Sequence, residues 1–157
     1  MANVFTDLKI RFADANDELK DRVMREWGEK MARHMHIDDG FSMVALQEEC
    51  LVGLISVYWK LLPPPLHEFL EGYIDIIEVH KDFRRQGIAK QLVRLSVELA
   101  KEKDAYQLRA WSSLDKTEAI QMWKDLRFGL CPATTYPHGQ EVLGYFVTKL
   151  VNKEMSV

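Results

Sequence analysis

Seven short stretches of the chain have the alternating or continuously apolar pattern that is typical of β-strands. In the fourth of them, Ile74, Ile76 and Ile77 make the stretch nearly apolar, as expected for a strand in the middle of a sheet. A polar turn at 47–49 separates the second stretch from the third, which predicts a hairpin. The predicted strands are residues 5–12, 42–46, 51–59, 72–79, 107–111, 130–135 and 142–151.

Three stretches between these strands have the spacing of amphipathic helices. The first follows the cap residues Asn16 and Asp17, and its apolar residues recur every four positions. Those residues are Leu19, Val23, Trp27 and Met31. The second helix begins after Gly87, and the third runs from a cap at Asp115 through Leu126. The order β-α-β-β-β-α-β-α-β-β predicts a mixed α/β sheet with helices on both faces.

Length and composition narrow the class of protein. The chain has 157 residues, 47% hydrophobic and 29% charged, which is typical of one soluble globular domain. Its net charge of -3 disfavours a dedicated nucleic-acid binder. We find no apolar run long enough for a membrane span and no secretory signal, so we expect a cytoplasmic protein. Cys50 and Cys131 are too far apart for a metal knuckle or a redox pair and are interpreted as small apolar residues.

The segment after the fourth strand has the features of a phosphate site. Gly87 lies where the strand turns into a helix, and the first N–H groups of a helix carry partial positive charge. Residues 80–94 hold five basic side chains and one acidic side chain. The motifs of P-loops and dinucleotide folds are absent. A strand-to-helix corner whose basic residues face water is the alternative interpretation.

The residues of this turn resemble a known family signature. The motif is Arg84-Arg85-Gln86-Gly87-Ile88-Ala89. It is similar to the Arg/Gln-x-x-Gly-x-Gly/Ala signature of the GCN5-related N-acetyltransferases (GNAT), with Arg84, Gly87 and Ala89 on the defining positions. Leu51-Val52-Gly53 resembles the family's second hairpin, and the run from Ala119 to Phe128 resembles its last helix ending.

The resemblance implies a fold, a cosubstrate and its binding residues. We expect the GNAT fold over residues 1–157 as a single domain: α/β (α+β), with a mixed, mostly antiparallel central sheet of six to seven strands and helices on both faces. The cosubstrate implied is acetyl-CoA, although a longer acyl group stays open. Its pyrophosphate would lie on the turn and its pantetheine arm beside the fourth strand. The implied cofactor-binding residues are Ile77, Val79, Arg84, Arg85, Gln86, Gly87, Ile88, Ala89 and Lys90, with Trp123 packing on the coenzyme or filling the core.

Transfer to an amine needs a group that takes a proton from the nucleophile. Two carboxylates lie on the fourth strand, and we prefer Glu78 as the general base, with Asp75 second. Family members often place on the last helix a Tyr that protonates the leaving thiolate. Here that position is Trp123, whose indole only donates hydrogen bonds. Tyr136 is therefore taken as a substitute acid, with Tyr145 and His138 as alternatives.

The acceptor is not identified by the sequence. Residues 66–79 contain four acidic residues and no Lys or Arg, which favours a cationic amine. The function expected is transfer of acetyl from acetyl-CoA to a primary amine of a small molecule or peptide by direct attack. The alternative is a catalytically silent acyl-CoA-binding sensor or interaction module. We expect no nucleic-acid or membrane partner; a homodimer stays open.

A cluster of His34, His36, Asp38 and Asp39 follows the first helix and raises the question of a metal. His and Asp are common near helix ends, and ligand identity without geometry is insufficient. We therefore expect no metal site.

Overall fold

A computed structural model of the protein describes residues 9–152. The strands are β1 Ile10–Asp14, β2 Gly40–Gln47, β3 Cys50–Leu61, β4 Leu70–Val79, β5 Gln107–Ser113, β6 Gly129–Thr135 and β7 Val142–Leu150. The helices are α1 Asp17–Trp27, α2 Glu29–Arg33, α3 Ile88–Glu102 and α4 Thr117–Asp125. The predicted elements are thus present in the predicted order, apart from a break in the first helix.

The strands form a seven-stranded sheet in the order β1-β2-β3-β4-β5-β7-β6. Neighbouring strands are antiparallel in the β1–β2, β2–β3, β5–β7 and β6–β7 pairs, whereas β4 and β5 are parallel. The prediction of a mixed, mostly antiparallel sheet of six to seven strands is confirmed. Within the described residues, no helix is long and apolar enough to cross a membrane.

The first helical stretch differs from the prediction. Asn16 caps α1 as expected, its side chain accepting a hydrogen bond of 2.9 Å from the Leu19 amide. The prediction of one continuous helix through Met31 is wrong, because Gly28 has a φ of 103° and separates α1 from α2. A backbone at that φ leaves the right-handed helical region, and glycine adopts it without steric cost.

Two other boundaries also shifted. The predicted cap of α4 at Asp115 is wrong, since the residue at the cap position is Lys116 and Asp115 instead accepts a hydrogen bond from the Ser113 hydroxyl. The first strand, predicted at 5–12, is described only from residue 9 onward; β1 begins at Ile10 and continues to Asp14. Residues 5–8 of that prediction lie outside the described residues.

The chain divides into two compact units. The first contains the residues up to Tyr58 together with Asp75–Ser96, and the second contains Trp59–Ile74 and the residues from Val97 onward. The expectation of a single domain over residues 1–157 stays a prediction.

Helices cover both faces of the sheet in the first unit. Leu54 of β3 lies in a buried cluster with α1 and α2, whose other members are Val23, Ala32, Met35, Val44, Leu46 and Leu51. The preceding residue on β3, Gly53, lies under α3: a Cβ there would be 2.9 Å from Ile88 Cγ2 and 3.3 Å from Leu92 Cδ1. Consecutive strand residues face opposite sides, so the two helical layers cover opposite faces.

The core of the second unit forms around β5 and β7. Buried residues alternate along β5, at Leu108, Ala110 and Ser112. β7 approaches β5 closely at Gly144, where an added Cβ would be 2.4 Å from the Ser112 carbonyl oxygen. Trp123 of α4 is buried in this unit with its ring 4.8 Å from that of Phe128.

Candidate active site

The turn between β4 and α3 presents an open backbone surface. Gly87 has a φ of 79°, and a Cβ at that residue would have no atom within 4 Å. Arg85 also has a positive φ, 66°. Residues Arg84 through Gly87 are all exposed. This part of the chain therefore folds so that its backbone faces open space, as a bound anion requires.

The amino end of α3 continues this surface. The Gln91 amide donates a hydrogen bond of 3.0 Å to the Gly87 carbonyl, which is the first i to i−4 bond of the helix. The amides of Ile88, Ala89 and Lys90 precede that bond, so they belong to the helix end at which N–H groups lack intrahelical acceptors. The helix dipole adds positive potential there. Oriented amides and positive potential together suit a phosphate.

Arg84 binds back to β4. Its Nε donates to the Val79 carbonyl at 3.0 Å and its Nη2 donates to Glu78 Oε1 at 2.9 Å. The Arg84 and Glu78 side chains are 55% and 39% exposed, so the ion pair contributes little to stability. Its chemical consequence is larger, because the residue preferred as general base is held by a guanidinium.

The carboxyl-terminal part of β4 extends beyond its ladder with β5. The paired positions are Glu71–Gln107, Gly72–Leu108 and Tyr73–Arg109, and β4 then continues to Val79. Ile77 and Val79, the residues expected beside the pantetheine arm, lie in this extension. The end of β4 is fixed to β3 by a hydrogen bond of 2.8 Å from the His80 amide to the Val52 carbonyl.

Asp75 lies at the centre of a group of polar side chains in the first unit. Its Oδ2 is 3.1 Å from His34 Nδ1 and 2.9 Å from His36 Nε2. The other ring nitrogen of His36 is 2.9 Å from Asp39 Oδ2. Sequence reasoning identified each of these residues but not their contact, because 41 positions separate His34 from Asp75. Within residues 9–152 no three His, Cys, Asp or Glu side chains are arranged to hold a metal ion.

Glu71, four residues before Asp75, has a different environment. Its side chain is fully buried in the second unit, where Arg109 Nη2 donates at 2.7 Å, Gln107 Nε2 donates at 2.8 Å and Lys60 Nζ is 3.6 Å away. Burial would raise the pKa of Glu71, but the hydrogen bonds from Arg109 and Gln107 and the charges of Arg109 and Lys60 outweigh it and lower the pKa. This carboxylate is engaged internally, so it adds little to the acidic acceptor surface expected from the sequence.

The two remaining site candidates, Trp123 and Tyr136, belong to the second unit. Trp123 is 2% exposed, and its packing against Phe128 accounts for its apolar character. Tyr136 is 65% exposed and precedes a short 3₁₀ turn at Pro137–Gly139. Their roles toward a coenzyme and a leaving thiolate stay predictions.

Both the Gly87 turn and the fold are similar to those of known proteins. The chain matches the Acetyltransferase (GNAT) family over residues 3–128. It belongs to this family. The resemblance of the Arg84–Ala89 motif and the predicted GNAT fold are thereby confirmed.

Individual relatives are distant. The chain is 28% identical to N-alpha-acetyltransferase 30 of Schizosaccharomyces pombe over 93 residues, which cover 58% of this chain and 57% of that protein. The match therefore spans little more than half the length of that curated relative.

Solved structures share the fold along most of the chain. Arabidopsis thaliana NAA60 in complex with acetyl-CoA has a TM-score of 0.72 and 17% identity, covering 90% of this chain and 99% of that one. The ribosomal-protein-S18-alanine N-acetyltransferase of Escherichia coli has a TM-score of 0.71 and 13% identity, with 95% and 100% covered. At these identities the likeness shows the fold alone.

Proposed function

We propose that this protein is an N-acetyltransferase that transfers the acetyl group of acetyl-CoA to a primary amine. The observation that carries the proposal is the turn at Gly87, in a chain of the acetyltransferase family. Its positive φ, its open surroundings and the adjoining helix amides form a site for a pyrophosphate. Backbone donors bind phosphate oxygens without specific side chains.

The coenzyme would be held by two parts of the first unit. The amides from Arg85 to Lys90 would bind the pyrophosphate, with the basic side chains nearby compensating its charge. The amide groups of the pantetheine arm would pair with the backbone of β4 at Ile77 and Val79, as an added strand does. Arg84 supports this region by holding the end of β4 through the Val79 carbonyl.

For the acceptor we favour an α-amino group of a peptide or protein over a small amine. Support comes from the relatives, since the fission-yeast protein is an N-alpha-acetyltransferase and the E. coli enzyme is named for an alanine of a ribosomal protein. The amine nitrogen would attack the thioester carbonyl directly, with a carboxylate on β4 assisting removal of its proton. Glu78 and Asp75 are the two candidates, and Tyr136 is the proposed donor to the thiolate.

Binding of acetyl-CoA and its dependence on the turn provide the test. Isothermal titration with acetyl-CoA should show saturable binding to the wild-type protein. Gly87→Glu should weaken that binding tenfold or more, because the new carboxylate stands where the pyrophosphate is bound and its residue is strained at positive φ. Absence of binding by folded wild-type protein would refute the proposal.

Gly139 is a matched control for this substitution. It has the same φ of 79° and the same open surroundings as Gly87, but it lies in the second unit. Gly139→Glu therefore introduces the same backbone strain and charge, and acetyl-CoA affinity should stay at the wild-type level. Equal loss in both variants would mean that strain, rather than the phosphate site, causes the effect.

A silent acyl-CoA-binding module is the second candidate. The observation that favours it is the burial of Trp123 at the position where relatives often carry an acidic Tyr. Release of coenzyme A in the presence of a pool of synthetic peptides, one for each N-terminal residue, distinguishes the two. Binding without release across the pool and across a panel of small amines would favour the silent module.

A further inference from the structure

His34 and His36 share one oxygen of a single carboxylate. Asp75 Oδ2 lies 3.1 Å from His34 Nδ1 and 2.9 Å from His36 Nε2. Asp75 is 24% exposed, and the two histidines differ, with His34 46% and His36 18% exposed. One histidine is therefore open to solvent and the other is enclosed.

The contact with Asp75 determines the tautomer of His34. An ionised carboxylate only accepts hydrogen bonds, so His34 Nδ1 must carry the hydrogen. In a neutral imidazole, Nε2 then holds the lone pair. Among the described residues His34 Nε2 has no hydrogen-bond partner, and its side chain is the exposed one. This is the arrangement in which a histidine acts as a base while a carboxylate orients it.

His36 fixes the position of Asp75. Both of its ring nitrogens face carboxylates, Nδ1 that of Asp39 and Nε2 that of Asp75. Its amide donates to Ser56 Oγ at 2.7 Å, and its carbonyl accepts from Ser42 Oγ at 2.8 Å. These two serines are buried and hydrogen-bonded to each other at 2.9 Å. The His36 ring also packs on Tyr58 at 4.8 Å.

We infer that His34 is the general base of this protein, with Asp75 and His36 as positioning residues. The inference rests on the proposed function and replaces the carboxylate base considered there. Glu78 is less suitable because Arg84 holds its carboxylate, whereas His34 presents a lone pair to solvent. The acceptor it would serve is a primary amine that arrives as an ammonium ion.

In the acyl transfer that follows from this role, the ammonium nitrogen loses two protons and forms one bond to carbon. His34 Nε2 removes one proton from the ammonium ion, and the freed nitrogen lone pair forms a bond to the thioester carbonyl carbon. The carbon–sulfur bond then breaks, and the sulfur leaves with the electron pair. The second proton lost by the nitrogen protonates the thiolate, and the imidazolium of His34 returns its proton to water. The net products are an amide, coenzyme A and one proton.

The variant His34→Asn separates the base from a merely structural contact. The Asn side-chain NH₂ stands near the former Nδ1 and can still donate to Asp75, but the variant lacks a basic nitrogen. With acetyl-CoA and the peptide pool, we expect coenzyme A release to fall about a hundredfold, the order of a lost general base. Acetyl-CoA affinity should not change, because His34 lies outside the turn that would hold the coenzyme.

Hydroxylamine is the matched acceptor: it is largely uncharged at neutral pH, so its lone pair is already free and the one proton it loses passes to the thiolate. Its reaction with acetyl-CoA on His34→Asn should stay within about threefold of wild type after subtraction of the uncatalysed rate. His67→Asn, which changes an exposed histidine outside the site, should match wild type with both acceptors. Near-wild-type release from peptides by His34→Asn, or an equal loss with both acceptors, would overturn the inference.

The tautomer is measurable without any acceptor. Long-range ¹H–¹⁵N correlation spectra of wild-type protein at neutral pH should show the ring hydrogen of neutral His34 at Nδ1. A hydrogen on His34 Nε2 instead would also overturn the inference. Loss of all acetyl-CoA binding by wild type would refute the proposed function itself, whereas binding and turnover unaffected by His34→Asn would refute only the role of His34.

Discussion

Glu71 and Asp75 lie four residues apart on β4, yet the fold uses these two carboxylates differently. Glu71 is fully buried and receives donors from Arg109 and Gln107. Asp75 is partly exposed and its partners are two histidines, one of them open to solvent. Arg109 is itself held between rings, 5.1 Å from that of Tyr73 and 5.0 Å from that of Phe146.

The difference distinguishes a carboxylate that stabilises the fold from one that positions a histidine for catalysis. Glu71 is fully buried, and its carboxylate is occupied by the donors Arg109 and Gln107 with Lys60 nearby. Asp75 contacts two imidazole rings, and imidazole is the side-chain group that most often serves as a general base. We therefore expect substitutions at Glu71 to affect stability and substitutions at Asp75 to affect activity.

The largest effect is expected for Glu71→Gln. It removes the charge that compensates Arg109 inside the second unit and places an amide NH₂ among donors. Breaking a buried ion pair in this way destabilises by about 3–5 kcal/mol. Urea denaturation followed by circular dichroism measures the change. The exposed Glu68→Gln, a matched control three residues away, should stay within about 0.5 kcal/mol of wild type. Equal stability of both variants would show that the buried Glu71 carboxylate does not stabilise the fold.

Asp75→Asn should have the opposite profile. Its unfolding free energy should change by less than about 1 kcal/mol, because Asp75 and His34 are partly exposed and an amide can replace the carboxylate there. Coenzyme A release with peptides should fall up to about a hundredfold, or about 2.7 kcal/mol in the barrier, since the carboxylate no longer orients His34. Release with hydroxylamine should be affected much less. The exposed Asp38→Asn is the control, and a large stability loss in Asp75→Asn without a selective loss of peptide turnover would contradict the comparison.

The smallest effect is a difference in acid sensitivity. The pKa of Glu71 is lowered in the folded protein, so its contribution to stability is complete above the ordinary carboxyl pKa and is lost as the pH falls through the folded value. Wild-type unfolding free energy should therefore fall more steeply than that of Glu71→Gln on acidification from about pH 7 to about pH 3. Parallel curves would show that Glu71 is not linked to acid unfolding.

Several features of the fold and site were predictable because they depend on neighbours in sequence. Helix and strand periodicity, the Asn16 cap and the glycine before α3 each depend on a few adjacent residues. The turn at Gly87 is of this kind, since its amides are supplied by consecutive residues. The helix break at Gly28 was not predicted, although it also depends on local residues. The apolar spacing continues past Gly28, so that spacing did not indicate the positive φ that ends α1.

The sequence by itself determined the order of elements, the turn at Gly87 and the family. Only the tertiary structure decided which acids are available, because that depends on contacts between residues on different strands and loops that are far apart in sequence. Arg109 reaches Glu71 over 38 positions, and His36 reaches Asp75 over 39. Hydrogen bonds need distances and angles that sequence spacing does not specify. The sequence does not distinguish the four acidic residues within positions 66–79. In the folded protein, Glu71 is buried against Arg109, whereas Asp75 contacts His34.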